Sequence, residues 1–221
     1  MLTERLYQAE VKATLDFSTS DSSLFVIAVT DQAIEEIARE IILPEDSILV
    51  HTSGSKPLEE LQFAASAATG VFYPLQTFSK SKKIDFKGIP ILVESNSSEA
   101  GELLTKIGKA LSNHVYKIGS EERKALHVAA VIASNFVNHL LTLSADLMKS
   151  NNLEFEWLHP LIRETINKAL TIGPENAQTG PAVRGDLEIL DNHMDVLRED
   201  EAVSTIYKVL SQHIIDYYQP D

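Results

Sequence analysis

The sequence predicts an α/β first domain built on a parallel doubly wound sheet, followed by an all-helical second domain. Two apolar strands, at residues 24–29 and 48–51, alternate with helical segments and end in polar turns. This alternation is the pattern of parallel β-α-β units. After residue 119 the apolar segments lengthen to helical size and we expect no further strand. We therefore place the domains at residues 1–119 and 120–221.

The first domain is predicted to consist of short strands separated by helices and loops. Ser97 and Glu99 mark the start of one helix, because a hydroxyl cap and an early acidic residue favour a helix N-terminus. Pro and Gly residues separate the other segments, and the polar segment 77–87 predicts a surface loop. Residues 2–10 are predicted to be the last turns of a helix. The predicted strands are 11–17, 24–29, 48–51, 70–76, 89–94 and 114–118. The predicted helices between them are 32–42, 57–69 and 98–111.

The second domain is predicted to contain four helices, near residues 120–149, 154–171, 186–198 and 200–218. The first of them carries apolar residues on nearly every side, which predicts burial all round. In a chain of 221 residues, such burial implies a contribution from a second subunit. We therefore expect a homodimer formed through the helical domain.

Composition excludes several functional classes. The formal net charge is −13, from 32 acidic and 19 basic residues, which argues against nucleic acid and against anionic membrane surfaces as partners. It does not exclude a cofactor that carries phosphate, since one helix N-terminus can hold a phosphate group. There are no cysteines, so disulfides and thiolate chemistry are excluded. The N-terminus has no signal-peptide pattern, and we expect polar residues to interrupt every apolar stretch before it reaches a membrane-spanning length, which predicts a cytoplasmic protein.

The glycine-rich turn that binds dinucleotides is missing from this sequence. Its pattern, G-x-G-x-x-G, needs two glycines two positions apart, and no two of the nine glycines have that spacing. The sequence also contains no P-loop, no H-E-x-x-H metal motif and no G-x-S-x-G nucleophile motif. The P-loop nucleotide-binding, metalloprotease and serine-hydrolase classes therefore receive no support.

Polar residues follow the apolar strands at the edge where doubly wound sheets bind ligands. Tyr73 is one of these residues. An alternative interpretation is turn chemistry and capping, for example Asp31 as the cap of helix 32–42. The candidate cofactor-binding residues are Val29, Thr30, Asp31, His51, Thr52, Ser53, Gly54, Pro74 and Gln76.

Polar residues also interrupt the apolar helix 120–149. Helical spacing places positions 127, 131, 134, 135 and 138 on one face. We expect His127 and Asn135 to be catalytic, with His127 as a general acid or base, and Asn138 to bind substrate. The alternative is structural, because buried polar groups must find hydrogen-bond partners in neighbouring helix ends or in a second subunit.

A loop rich in glycine and proline, at residues 177–186, contains Arg184. Arg184 is a candidate for binding a substrate carboxylate or phosphate group. The alternative is a rigid connector in which Asp186 caps the following helix and pairs with Arg184. The sequence leaves both interpretations open.

Long motifs across the chain carry a resemblance to a known family. The motifs are VHTSG at 50–54, YPLQTFS at 73–79, LHVAAVIASNFVNHL at 126–140, PLIRET at 160–165 and QTGPAVRGD at 178–186. They resemble the bacterial oxidoreductase-like family whose C-terminal part is called domain of unknown function 2520. That family is similar to pyrroline-5-carboxylate reductase and to the 6-phosphogluconate and hydroxyisobutyrate dehydrogenases.

This resemblance implies a Rossmann-like domain for NADP or NAD and a helical dimerisation domain that closes the active site. The implied function is an NAD(P)-dependent oxidoreductase acting on a small carbonyl, imine or hydroxyacid compound. Two departures leave an alternative open, a catalytically inactive dimeric binding or scaffold protein. Family members begin with a β-α-β unit of roughly 30 residues that we expect to be absent here, leaving a truncated sheet. The related dehydrogenases also carry a lysine four residues before the helix asparagine, where Val131 stands in this sequence.

Overall fold

The computed structural model describes residues 12–64, 68–78 and 83–219. The chain divides into two compact units, Met1–Ser134 and Asn135–Asp221. Where the structure describes it, the first unit contains the sheet and three α-helices, and the second is helical. The predicted helix end at 2–10 lies outside the described residues. Of the predicted strand 11–17, the described residues form only one bridge, between Asp16 and Ile42.

The sheet has five strands in the order β1-β2-β3-β4-β5, which confirms the predicted α/β class. The β3–β4 pair is antiparallel, whereas the other neighbouring pairs are parallel. This differs from an all-parallel sheet: Gly70 lies opposite Ser95 and Pro74 opposite Ile91, and next to this pair the Leu75 amide donates to the Pro90 carbonyl at 2.8 Å. The strands are β1 (Leu24–Ile27), β2 (Ile48–His51), β3 (Ala68–Pro74), β4 (Ile91–Ser95) and β5 (Val115–Lys117).

Three helices belong to the first unit: α1 (Ile34–Glu40), α2 (Ser98–Leu111) and α3 (Ser120–Ala130). The predicted cap of α2 is confirmed, since Ser97 Oγ accepts a hydrogen bond from the Ala100 amide. A 3₁₀ turn at Asp31–Ala33 precedes α1.

The predicted helix at 57–69 is wrong. The chain makes a 3₁₀ turn at Leu58–Leu61 and enters β3 at Ala68, with residues 65–67 outside the description. Pairing of residues 68–71 with the whole of β2 outweighs the helix propensity of this alanine-rich segment.

The core of the first unit lies on both faces of the sheet. Leu49 packs with Ile34 of α1 on one face, whereas its neighbour Val50 packs with Leu104 of α2 on the other. Successive residues of a strand point to opposite faces, so a strand buried on both sides reads as a continuous apolar run. This arrangement buries β2 on both faces and places its carboxyl end at His51.

The second unit consists of six helices within the described residues. They are α4 (Val137–Ser150), α5 (His159–Ile172), α6 (Pro174–Ala177), α7 (Pro181–Arg184), α8 (Leu187–Val196) and α9 (Glu201–Tyr218). Between the predicted helices 154–171 and 186–198, the chain forms two short helices, α6 and α7. A π-helical turn at Val131–Phe136 connects α3 to α4.

Within one chain the long apolar helix is not buried all round, and its predicted burial against a second subunit stays a prediction. No residue of α4 is buried, and Val128, Ile132 and Phe136 are each more than half exposed. On one side, α8 and α9 border an apolar groove that includes Leu140 and Leu143. The helix therefore presents apolar surface that this chain does not cover.

Residues Ser120–Ser150 form one continuous helical segment of 31 residues. By length and composition it is apolar enough to cross a membrane, so the expectation that no stretch reaches that length is wrong. The polar residues are spaced too widely to lower its average hydropathy below that of a span. The same length and composition also occur in helices that pack against protein.

Candidate functional site

His51 closes the carboxyl end of β2 and is fully buried. Its Nδ1 accepts a hydrogen bond from the Ser53 amide at 3.1 Å, and its Nε2 lies 3.2 Å from the Pro57 carbonyl oxygen. These two partners fit a neutral imidazole that carries its proton on Nε2. Burial lowers the pKa of His51 to about 4. His51 therefore shapes the loop after β2 as a neutral residue.

The stability of the protein is expected to decrease as the pH falls from about 6.5 to about 4. The lowered pKa of His51 means that the unfolded chain binds this proton more readily than the folded chain in that window. The stabilising contribution of neutral His51 is therefore fully present above its pKa in the unfolded chain. It is lost as the pH falls towards its pKa in the folded protein. Urea unfolding across this range measures the effect, and His51→Gln should show a shallower pH dependence. Equal slopes for the two proteins would contradict the assignment.

Asp31 joins the ends of the first two strands. Its Oδ2 accepts a hydrogen bond from Ser55 Oγ at 2.5 Å. Ser53 Oγ, in turn, accepts hydrogen bonds from the amides of Ser55 and Lys56. Asp31 does not cap the following turn, where Thr30 stands at the cap position without a side-chain hydrogen bond. The structure thus brings together Asp31, Ser53 and their loop at the predicted edge of the sheet.

Tyr73 and His127 meet beside this loop. Tyr73 Oη lies 3.2 Å from His127 Nδ1, and the two rings pack edge to face with centroids 6.1 Å apart. A Cβ atom at Gly54 would lie 2.6 Å from His127 Nδ1 and 2.6 Å from the Tyr73 ring. Glycine at this position therefore allows the histidine, the tyrosine and the loop to approach closely.

Gly54→Ala is expected to destabilise the first unit by about 1–3 kcal/mol, because overpacking a close contact forces its neighbours apart. It should also lower any turnover that depends on His127. Chemical unfolding and kcat measure the two effects. Gly88→Ala is the matched control, since a Cβ there would meet nothing within 4 Å. Equal stability of the two variants would contradict the close approach of Gly54 to His127 and Tyr73.

A buried ionic cluster fixes the start of α3 against the sheet. Arg123 is fully buried, and its Nη2 donates to the Lys56 carbonyl at 2.7 Å and pairs with Glu94 at 3.1 Å. Ser120 Oγ donates to the same carboxylate. Burial lowers the pKa of Arg123, and Glu94 opposes this change. Since His127 follows Arg123 by one helical turn, the cluster determines where His127 lies.

Sequence reasoning did not find this cluster. Glu94 and Arg123 are 29 positions apart, and charged residues at the start of a helix are usually exposed. The available signal was the spacing of Arg123 and His127, which places both on one helical face. Within the described residues, Arg123 Nε and Nη1 are buried without a hydrogen-bond partner.

The other residues predicted at the strand ends are less buried than His51 and Ser53. Val29 and Thr30 are exposed after β1, and Thr52 is half-buried after β2. Pro74 ends β3. Gln76 is exposed and accepts a hydrogen bond from the adjacent Thr77 amide, within its own turn. Their roles as cofactor-binding residues stay predictions.

Asn135, Asn138 and Arg184 belong to the second unit and are all exposed. Only an unbroken α-helix would place the two asparagines on the same face as His127 by α-helical spacing, whereas Val131–Phe136 is π-helical. Their catalytic and substrate-binding roles therefore stay predictions.

Arg184 ends the short helix α7, between Gly180 and Gly185, whose positive φ angles of 114° and 65° suit glycine. Asp186 caps α8, as one interpretation of the sequence predicted. No Arg184–Asp186 ion pair is present in the described part of the loop. The role of Arg184 in substrate binding stays a prediction.

A family profile described as domain of unknown function (DUF2520) matches residues 89–214, more than half of the chain. The chain belongs to the DUF2520 family. This confirms the resemblance seen in the sequence motifs. A search of curated proteins found no match.

Several solved structures share the fold of this DUF2520 protein. A Bacteroides fragilis protein named as a "putative NADP oxidoreductase" is 39% identical, with a TM-score of 0.85 over 93% of this chain and 80% of that one. A Thermotoga maritima protein is 24% identical, with a TM-score of 0.75 over 90% and 80% of the two chains. A reductive aminase from Aspergillus terreus, in complex with NADPH and ethyl levulinate, is 16% identical, with a TM-score of 0.69 over 98% and 81%. The last two likenesses show the fold alone.

Proposed function

We propose that this DUF2520 protein is an NAD(P)-dependent oxidoreductase that uses NADP(H) to transfer hydride to or from a small carbonyl, imine or hydroxyacid compound. The observation that carries the proposal is the meeting of His127 and Tyr73 beside the carboxyl ends of β1 and β2. Ligands of doubly wound sheets bind at this edge. The name of the Bacteroides fragilis relative and the NADPH complex of the reductive aminase support the choice of cofactor.

The described residues fit the nicotinamide and ribose end of such a cofactor. Thr30 carries an exposed hydroxyl group, and Asp31 carries a carboxylate, at the end of β1. These groups suit the hydroxyl and carboxamide groups of a nicotinamide riboside. The amides of Ser53, Ser55 and Lys56 already donate to side chains of their own loop. We therefore assign the described loop to the nicotinamide end and not to the pyrophosphate, which is usually held by free amides.

When bound, the cofactor supplies or accepts the hydride, and the protein must handle the accompanying proton. We assign that proton to His127, because histidine side chains exchange protons near neutral pH and this one is partly exposed at the edge of the sheet. Asn135 would orient the substrate, while Asn138 and Arg184 would bind its polar or anionic group. These roles rest on the family resemblance and on the chemistry of the side chains.

We also propose that the protein is a homodimer formed through the helical unit. The uncovered apolar residues of the long helix need a partner, and a second copy suits them better than lipid. Asn135, Asn138 and His139 lie in the middle of the segment, and polar groups are costly in hydrocarbon. Light scattering should give about twice the chain mass of 24.5 kDa. A monomer at micromolar concentration would contradict this proposal.

A screen of NADPH oxidation tests the proposed activity. The purified protein would be assayed by absorbance with cyclic imines, ketones with amines, and 2-oxoacids. If the wild-type protein oxidises NADPH with one of these substrate classes faster than a His127→Ala variant does, the result supports the proposed oxidoreductase activity. The absence of turnover in every class, together with the absence of cofactor binding, would favour the alternative of a dimeric binding protein, which the missing lysine at position 131 motivates.

A further inference from the structure

Tyr73 and His127 are held by two independently anchored elements. Tyr73 lies in β3, which pairs with β2 on one side and with β4 on the other. His127 lies in α3, which the Arg123–Glu94 pair and the Lys56 carbonyl fix against the sheet. The distance of 3.2 Å between Tyr73 Oη and His127 Nδ1 is therefore set by the fold of the first unit. Such anchoring is what a preorganised catalytic group requires.

The phenol is suited to remain protonated. Burial, with a smaller contribution from Asp31, raises the pKa of Tyr73, while Arg123 acts in the opposite direction. A neutral phenol can donate to an unprotonated Nδ1 or accept from a protonated one. It can therefore keep a hydrogen bond to His127 in both charge states of the imidazole.

We propose that Tyr73 is a positioning residue that holds His127 Nδ1, so that Nε2 is the nitrogen that exchanges a proton with the substrate. The inference rests on the proposed function and deepens it. A bound NADPH would supply the hydride: a C–H bond of its reduced nicotinamide would break as the ring is oxidised, and a new C–H bond would form at the substrate carbon. The π electrons of the C=O or C=N bond would then move to the heteroatom. The imidazolium Nε2–H bond breaks, its electron pair stays on nitrogen, and the proton joins that heteroatom. Nδ1 keeps its proton and donates a hydrogen bond to Tyr73 Oη, and solvent restores the Nε2 proton.

Tyr73→Phe is expected to lower kcat by about 10-fold to 100-fold, with KM and the Kd for NADPH changed by less than about 2-fold. The phenyl ring keeps the packing against His127 and Gly54, so the fold should be retained. The Nδ1 resonance of His127 in ¹⁵N-labelled protein should move, because its hydrogen-bond partner is lost.

Two further variants serve as controls. Tyr116→Phe makes the same substitution at an exposed position of β5 and should leave kcat unchanged. Tyr207→Phe removes a similar bond, of 2.6 Å, between Tyr207 Oη and His193 Nδ1, and should move the His193 resonance alone.

The outcomes separate this inference from the proposed function. An active wild-type protein whose Tyr73→Phe variant keeps full kcat would overturn the role of Tyr73 and leave the oxidoreductase standing. An unmoved His127 Nδ1 resonance would overturn the hydrogen bond itself. A wild-type protein that turns over no substrate class would overturn the proposed function and, with it, the catalytic part of this inference. A kcat loss at constant KM together with a moved resonance supports the role.

Discussion

Replacement of His127 by alanine is expected to lower kcat by about 10²-fold to 10⁴-fold, the usual contribution of a positioned general acid. Binding of NADPH should change little, because the cofactor residues proposed at the ends of β1 and β2 are untouched. The measurement is steady-state kinetics with the best substrate of the screen, together with a cofactor titration of the variant.

His139→Ala provides the matched control for this experiment. His139 is an exposed histidine twelve positions later in the same continuous helical segment. We expect the control variant to keep the kcat of the wild-type protein. If the His127 variant also keeps its kcat, the assignment of the proton to His127 is wrong.

Arg123→Met is expected to reduce the free energy of unfolding by about 3 kcal/mol, since removal of one partner leaves the other charge of a buried pair uncompensated. Only 1% of the Arg123 side chain and 17% of the Glu94 side chain are exposed. The loss of the bond to the Lys56 carbonyl should also loosen the loop after β2. Urea unfolding monitored by circular dichroism measures the change.

Two further variants make this stability test specific. Lys124→Met removes an exposed ion pair to Glu121 in the same helix, which should cost less than about 1 kcal/mol. The double variant Arg123→Met with Glu94→Gln removes the uncompensated charge and should recover part of the loss. If Lys124→Met costs as much as Arg123→Met, burial of the pair is not the source of the stability.

Local signals in the sequence predicted several elements of the first unit correctly. The helix 98–111 has the bounds that Ser97 and the apolar spacing indicated, and β2 has its predicted bounds. The helix prediction for residues 57–69 failed because the alanines of this segment favour a helix locally. Pairing with β2 instead determines the structure from Ala68 onward. The antiparallel direction of β4 belongs to its pairing with β3, which places Gly70 opposite Ser95, 25 positions later in the chain.

In the candidate site, single residues could be found from the sequence, whereas contacts between residues far apart in the chain could not. His127 could be found because it is a polar residue in an apolar helix, and His51 and Asp31 because they follow strands. The contacts between Tyr73 and His127 and between Glu94 and Arg123 join residues 54 and 29 positions apart. One sequence carries no local signal for such contacts. The π-helical turn at Val131–Phe136 likewise lacks a local signature, and it interrupts the regular spacing that sequence reasoning assumed.

A calorimetric titration of this 221-residue chain with NADPH, with NADH for comparison, tests the central claim most directly. We predict binding with a Kd of about 1–100 μM, in the range common for enzyme ligands, and weaker binding of NADH. Such a result would establish that the strand-end cluster around Asp31 and His127 belongs to a nicotinamide-dependent protein. The absence of binding by either cofactor at millimolar concentration would contradict the proposed oxidoreductase.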